Sequence, residues 1–179
     1  MMRRLFLILM ILVLISCQNK DWKTNLLDDI SEFETSKKID KKFSIKHNSG
    51  NDIRIVLYKT HSNGLTKLTA KYERPEIGNW EKLFYARNGK VLHSRNFGIA
   101  PIQNLNNDTI SQPDYILVEK IAWFKNDSIG IEEIKEIKIS NLKNIESKKT
   151  ELLKVELITS NLNKRDFKLI QSDFEALNK

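Results

Sequence analysis

The 179-residue chain carries 30 Lys and Arg against 23 Asp and Glu, for a net charge of +7, with one Cys and three His. A single thiol excludes an intrachain disulfide framework and a cysteine-rich metal site. Acids are interspersed with bases along almost the whole chain, and no interleaving of basic and aromatic residues points to nucleic acid as a partner.

Met1-Met2-Arg3-Arg4 is a short cationic start, followed by an unbroken apolar run of eleven residues from Leu5 to Ile15, then Ser16 and Cys17. A positive segment, a short apolar segment and a small residue before a cleavage point make an export signal. The run is too short for a transmembrane helix, which needs about 20 apolar residues. Leu14-Ile15-Ser16-Cys17 resembles the lipobox of bacterial lipoproteins, and the resemblance covers residues 1–17 alone. It implies cleavage before Cys17, a thioether-linked diacylglycerol on its thiol and frequent further acylation (palmitate-type chains) of the freed amine. Each buried CH₂ contributes about 0.8 kcal/mol, so two or three chains hold where one does not. Gln18 stands where an Asp tends to retain such proteins in the inner membrane, so the resemblance implies the outer membrane, with either leaflet possible. An ordinary signal peptide with a chance Cys, or an uncleaved anchor, is the alternative.

On that reading residues 1–16 leave, 17–21 are the lipidated Cys and a short tether, and 22–179 form one α+β domain. The remaining 163 residues carry +5 and can bury roughly 70% of their unfolded surface. Trp22, Leu26, Ile30 and Phe33 fall on one helical face, which predicts a helix over 22–34. Lys37-Lys38-Ile39-Asp40-Lys41-Lys42 is the densest basic run. It suits either a solvated strand start or contact with anionic headgroups.

From residue 43 the period becomes two. Phe43, Ile45 and His47 form one strand; Ile53, Ile55 and Leu57 the next; Leu68, Ala70 and Tyr72 a third. Asn48 to Asn51 and Ser62-Asn63-Gly64 are the turns between them. Trp80 to Gly89 and Val118 to Asp127, thirty-eight residues apart, share a pattern of Glu-Lys, aliphatic, aromatic, base, Asn and a turn residue. Two copies fall short of the ~3 a solenoid needs, so they read as two similar hairpins in one sheet. Val91–Ile99 is the return strand of the first. Residues 101–114 form the longest irregular stretch, where function or disorder is expected. Tyr115–Lys125, apolar on both faces, is placed centrally. Ile129–Ile139 reads as a strand, Asn141–Lys149 as a polar turn, and Leu153, Val155 and Leu157 as a last strand. Asn163 and Asp166 then make a capping box before an amphipathic helix with Phe167, Ile170, Phe174 and Leu177 on one face. The expected fold is α+β: an antiparallel sheet of roughly seven strands built from hairpins, with an N-terminal and a C-terminal amphipathic helix packed on it.

Motifs for chemistry are sparse. His47, His61 and His93 lack metal-ligand spacing, and no nucleophile elbow, phosphate loop or dinucleotide fingerprint occurs. Asn126 to Gly130 fails as a calcium loop because Lys125 stands where a carboxylate is required. No cofactor and no metal is expected. Glu81 and Glu119 recur in the repeat and could form an acid pair, or each could pair with a neighbouring Lys. Asp108-Thr109-Ile110 and Asp127-Ser128-Ile129 resemble an O-glycosylation acceptor of some Gram-negative export systems, with Thr109 and Ser128 as acceptors; ordinary turn chemistry is the other reading. Trp80, Tyr85 and Trp123 suit either the sheet's core or a stacking patch. These features favour a non-enzymatic binding module that recognises an unknown envelope protein or glycan. An immunity or inhibitor-type lipoprotein against a toxin or hydrolase is the second reading, and an enzyme acting on envelope glycans or lipids the third.

Overall fold

The computed structural model describes residues 21–36, 39–49, 51–62, 64–73, 79–102, 115–140 and 142–179. The export segment with Cys17, the Lys37-Lys38 pair, and most of the 101–114 stretch with Thr109 lie outside the described residues.

Among the described residues eight strands form one antiparallel sheet in the order β1-β2-β3-β4-β5-β6-β7-β8, each hydrogen-bonded to the next in sequence. They are β1 (Ile39–Ser49), β2 (Asn51–Ser62), β3 (Leu65–Glu73), β4 (Trp80–Arg87), β5 (Lys90–Pro101), β6 (Tyr115–Asn126), β7 (Ile129–Ile139) and β8 (Ile158–Leu162). Among the described residues three helices accompany it: α1 (Trp22–Thr35), α2 (Ile145–Leu152), which follows a 3₁₀ turn at Leu142–Asn144, and α3 (Lys164–Leu177). The α+β class, the hairpin-built sheet and the two packed terminal helices are as the sequence predicts, with one strand more than the seven expected.

The turns follow from residue type. Asn88 and Gly89, at φ 51° and 79°, join β4 to β5. Two successive positive φ values match the right-handed twist of a hairpin, and Asn and Gly tolerate them at least cost. A register shift between Tyr85 and Ala86 then inserts Leu92, because Tyr85 pairs with His93 and Ala86 with Val91. Leu92 and His93 therefore both serve one face of the sheet, and Val91 the other.

Under α3 lies a continuous hydrocarbon core: Ile55, Leu57, Leu68, Ala70, Phe84, Ala86, Val91, Ala122 and Phe124 from the sheet, with Phe167 and Phe174 from the helix. Phe124 meets Phe167 edge-on at 5.1 Å, and Phe84 meets Phe174 at 5.8 Å. Burying such a side chain contributes roughly 1.5–3 kcal/mol. The helix starts as its sequence requires. The Asn163 side chain accepts from the Arg165 and Asp166 N–H groups, and Asp166 accepts from the Asn163 N–H. Gln171 fastens α3 to the β4–β5 hairpin by accepting the Val91 N–H at 2.9 Å and donating to the Gly89 carbonyl at 2.8 Å.

The opposite face carries two smaller cores. Phe33 of α1, with Ile30, packs on Leu65, Leu83, Tyr85 and Leu92. Leu152 of α2 packs with Ile99, Leu117 and Ile139, helped by Ile145 and Val155.

Two predicted elements need correction. The stretch 141–149, read as a turn, contains the start of α2; its many Lys and Glu face water, and its only fully buried residue is Leu152. Leu153, Val155 and Leu157 are not a strand. A tight turn there is closed by Lys154 and Val155 N–H groups bonding to the Glu151 and Leu152 carbonyls, and the strand begins only at Ile158. Alternation alone mimicked a strand: Val155 is tucked under α2, whereas Leu153 is 72% exposed.

Candidate functional site

The repeated Glu of β4 and β6 meets one arginine. β5 lies between those strands, and its Arg95 donates through Nε to Glu119 at 2.6 Å and lies 3.7 Å from Glu81. Glu81 also pairs with Lys71 of β3 at 3.5 Å. Four strands thus contribute one row of alternating charges, Lys71, Glu81, Arg95 and Glu119, on the face that carries α1 and α2. The Arg95 guanidinium sits 5.0 Å over the Phe97 ring, a cation–π contact that fixes its plane. Both glutamates are therefore charge-paired, Glu119 with Arg95 and Glu81 with Arg95 and Lys71.

Beside this row lies a groove of about 470 Å³. Lys71, Glu81, Phe97, Ile99 and Leu117 line its sheet side, and Ile145, Glu146 and Lys149 of α2 line the other. Its volume falls in the roughly 300–1,000 Å³ range of ligand pockets. Aliphatic and aromatic floor with charges of both signs at the margin suits a polar chain that is apolar on one side. Gly98 shapes the mouth, since a Cβ there would come within 2.6 Å of the Trp80 ring and 2.8 Å of the Asn79 carbonyl. Trp80 is half-buried against it; Tyr85 and Trp123 are core residues.

Under α1 a second cluster forms. Tyr85, His93 and Trp123 stand in one row across β4, β5 and β6, with ring centroids 5.6 and 4.1 Å apart. Trp123 Nε1 donates to Glu133 at 2.8 Å, Lys23 of α1 pairs with the same carboxylate, and the Lys23 ammonium lies 5.0 Å over the Trp123 ring. Tyr85 donates to Glu34 of α1 at 2.6 Å. Burial and that bond to a carboxylate push the Tyr85 hydroxyl well above its usual range. His93 is 6% exposed. Burial drives its pKa down to about 4; a hydrogen bond to the Ala122 backbone opposes this, and the charges of Arg95 and Lys23 add to it. Its Nδ1 is buried without a partner among the described residues. Burial alone would raise Glu133, but the Lys23 and Trp123 hydrogen bonds outweigh it and hold the carboxyl below its usual range. The Lys23–Glu133 pair and the Tyr85–Glu34 bond dock α1 on the sheet.

The three histidines are separated. His47 is in β1 opposite Ile53; His61, in β2, is exposed with Nδ1 2.8 Å from the Thr66 hydroxyl; His93 is under α1. Among the described residues no three His, Cys, Asp or Glu side chains are grouped to hold a metal ion. Ser128 is exposed in the β6–β7 turn. Asn126, not Asp127, satisfies that turn, accepting the Ser128 and Ile129 N–H groups at 2.9 Å, while Asp127 pairs with Lys90.

Sequence reasoning missed Arg95 and α2. The i, i+4, i+7 spacing of Ile145, Lys149 and Leu152 was the available signal for the helix. Among the described residues no helix is long and apolar enough to cross a membrane, which bears only on helices. Comparison with known proteins finds no matching family model, no matching curated protein and no matching solved structure.

Proposed function

We propose that the chain is a lipoprotein of the cell envelope, anchored in the outer membrane through Cys17, and that it works as a non-enzymatic binding module. The order of Arg3-Arg4, the apolar run, Ser16 and Cys17 carries this reading. The groove between the Arg95 row and α2 supports the binding part, since it offers an apolar floor and charges of both signs to an envelope protein or glycan.

The intact mass of the protein from its own host tests the anchor. A chain starting at Cys17 with acyl chains is expected, and an unacylated chain starting at Met1 overturns it. Hexose-sized increments lost in Ser128→Ala would assign the sugar to that turn. For the groove, a photo-crosslinking residue at Phe97 should give one discrete adduct in intact cells, lost when Lys149→Glu reverses the charge at the margin. Crosslinking that is diffuse or absent overturns the groove as the binding surface.

A further inference from the structure

The turn that follows α2 is firmly held, yet it presents apolar side chains to water. The Lys154 and Val155 N–H groups bond to the Glu151 and Leu152 carbonyls at 2.9 and 3.2 Å, and Lys135 of β7 donates to the Leu153 carbonyl at 3.1 Å. Leu152 is buried and Val155 is tucked under the helix, whereas Leu153 is 72% exposed and Leu157 40%. Lys154 and Glu156, both exposed, leave residues 153–157 without net charge. Those backbone groups are already bonded, which is what entry into an apolar medium requires.

The start of α1 lies beside this turn. Lys23 pairs with Glu133 of β7. Lys135, which holds the turn, is two residues further along the same face of β7, about 7 Å away. Trp22 opens α1 half-buried, a residue type suited to a boundary between apolar and wet surroundings. Cys17 precedes Trp22 by five residues, a reach of at most about 18 Å. That is well under the width of a domain of this length. A lipid on Cys17 would therefore keep the start of α1, and the turn beside it, close to the bilayer. Given the Cys17 anchor, on which this rests, we propose that Leu153 and Leu157 sit in the headgroup region of the leaflet that holds the lipid. The domain then lies on the membrane as well as being tethered to it. The Lys154 stem runs along the apolar surface and its ammonium stays among the headgroups.

The acylated full chain in vesicles of phosphatidylethanolamine and phosphatidylglycerol tests this. Cys17 is the only thiol, and the thioether consumes it, so a spin label on Leu153→Cys marks that position alone. His61→Cys, exposed on β2 and roughly 24 Å across the sheet from β7, is the reference. Oxygen, which concentrates in the bilayer, should reach the 153 label in excess over a water-soluble nickel chelate, with the reverse at 61. Leu157→Glu should return the 153 label to water, with nickel access rising several-fold. Vesicles of phosphatidylethanolamine alone should give the same pattern, because the turn has no net charge. Equal nickel access at 153 and 61, in protein carrying one label and its acyl chains by mass, overturns the docking and leaves the anchor standing. An oxygen excess that Leu157→Glu does not reduce, or that needs phosphatidylglycerol, overturns it too. Two labels on an unacylated chain remove the anchor and the docking together.

Discussion

The two faces of the sheet solve different problems with the same strands. Under α3 the packing is almost entirely hydrocarbon and continuous from β2 to β6. On the other face α1 and α2 bury two separate clusters, and the row Lys71, Glu81, Arg95 and Glu119 lies beside the groove that α2 walls. A continuous apolar face gives stability but offers a partner nothing specific. A divided face gives up some burial and keeps half-buried charge and shape available. On the proposed reading, stability and recognition fall on opposite sides of the same strands.

That contrast can be broken at its strongest point first. Phe174→Ala removes a side chain that is 1% exposed and packed on Phe84. It should cost about 3–5 kcal/mol, the usual loss for a large aromatic truncated in a core, read from urea denaturation. A loss below about 1 kcal/mol would show that this face collapses around the gap and is not the stable side.

The next effect belongs to the α1 cluster. His93 has a folded pKa of about 4 against 6.5 when free, so the unfolded chain takes up a proton first as the pH falls. Its contribution is whole above pH 6.5 and declines towards pH 4, by up to about 3 kcal/mol. Glu133, held low, loses its own contribution only below 4.5, in the same direction. Urea midpoints between pH 7 and pH 4 should therefore fall, and His93→Gln should flatten the slope above pH 4.5. An unchanged slope would show that His93 is not buried as a neutral imidazole.

The smallest effect tests the charged row. Arg95→Met leaves Glu81 and Glu119 without their shared cation, at side-chain exposures of 31% and 15%. The pair lies between the surface and buried cases, so the loss should be about 1–2 kcal/mol. Adding Glu119→Gln should restore part of it. No loss in Arg95→Met would mean that the row is kept for what binds there and not for the fold.

What was legible in the sequence was local. The capping box at Asn163, the Asn88-Gly89 turn and the period-two runs each state their structure within a few residues, and each appears where the pattern puts it except at Leu153, Val155 and Leu157, whose alternation falls in a turn. The candidate site is not local. The repeat in β4 and β6 exposed Glu81 and Glu119, but their meeting depends on β5 lying between them in a register that sets Arg95 opposite both Leu83 and Ile121. Nothing near Arg95 in sequence announces that. The helix α2 was hidden because it buries one leucine and leaves its charged positions to solvent, so composition pointed to a turn. The face His93 occupies depends on the register shift that inserts Leu92, and its burial on the Tyr85 and Trp123 rings of the flanking strands, neither of which its neighbours in sequence reveal.

The strand order has a kinetic consequence. In a pure meander each strand pairs with the one just before it, so most steps of sheet growth close only a short loop, the longer ones being those between β5 and β6 and between β7 and β8. A sheet of this connectivity should assemble faster than one of equal size with crossed connections. The distant contacts come from the two ends: Lys23 reaches Glu133 across 110 residues and Lys82 reaches Asp173 across 91. Hairpins can therefore form in the order of the chain, and the terminal helices then clamp the finished sheet from either side.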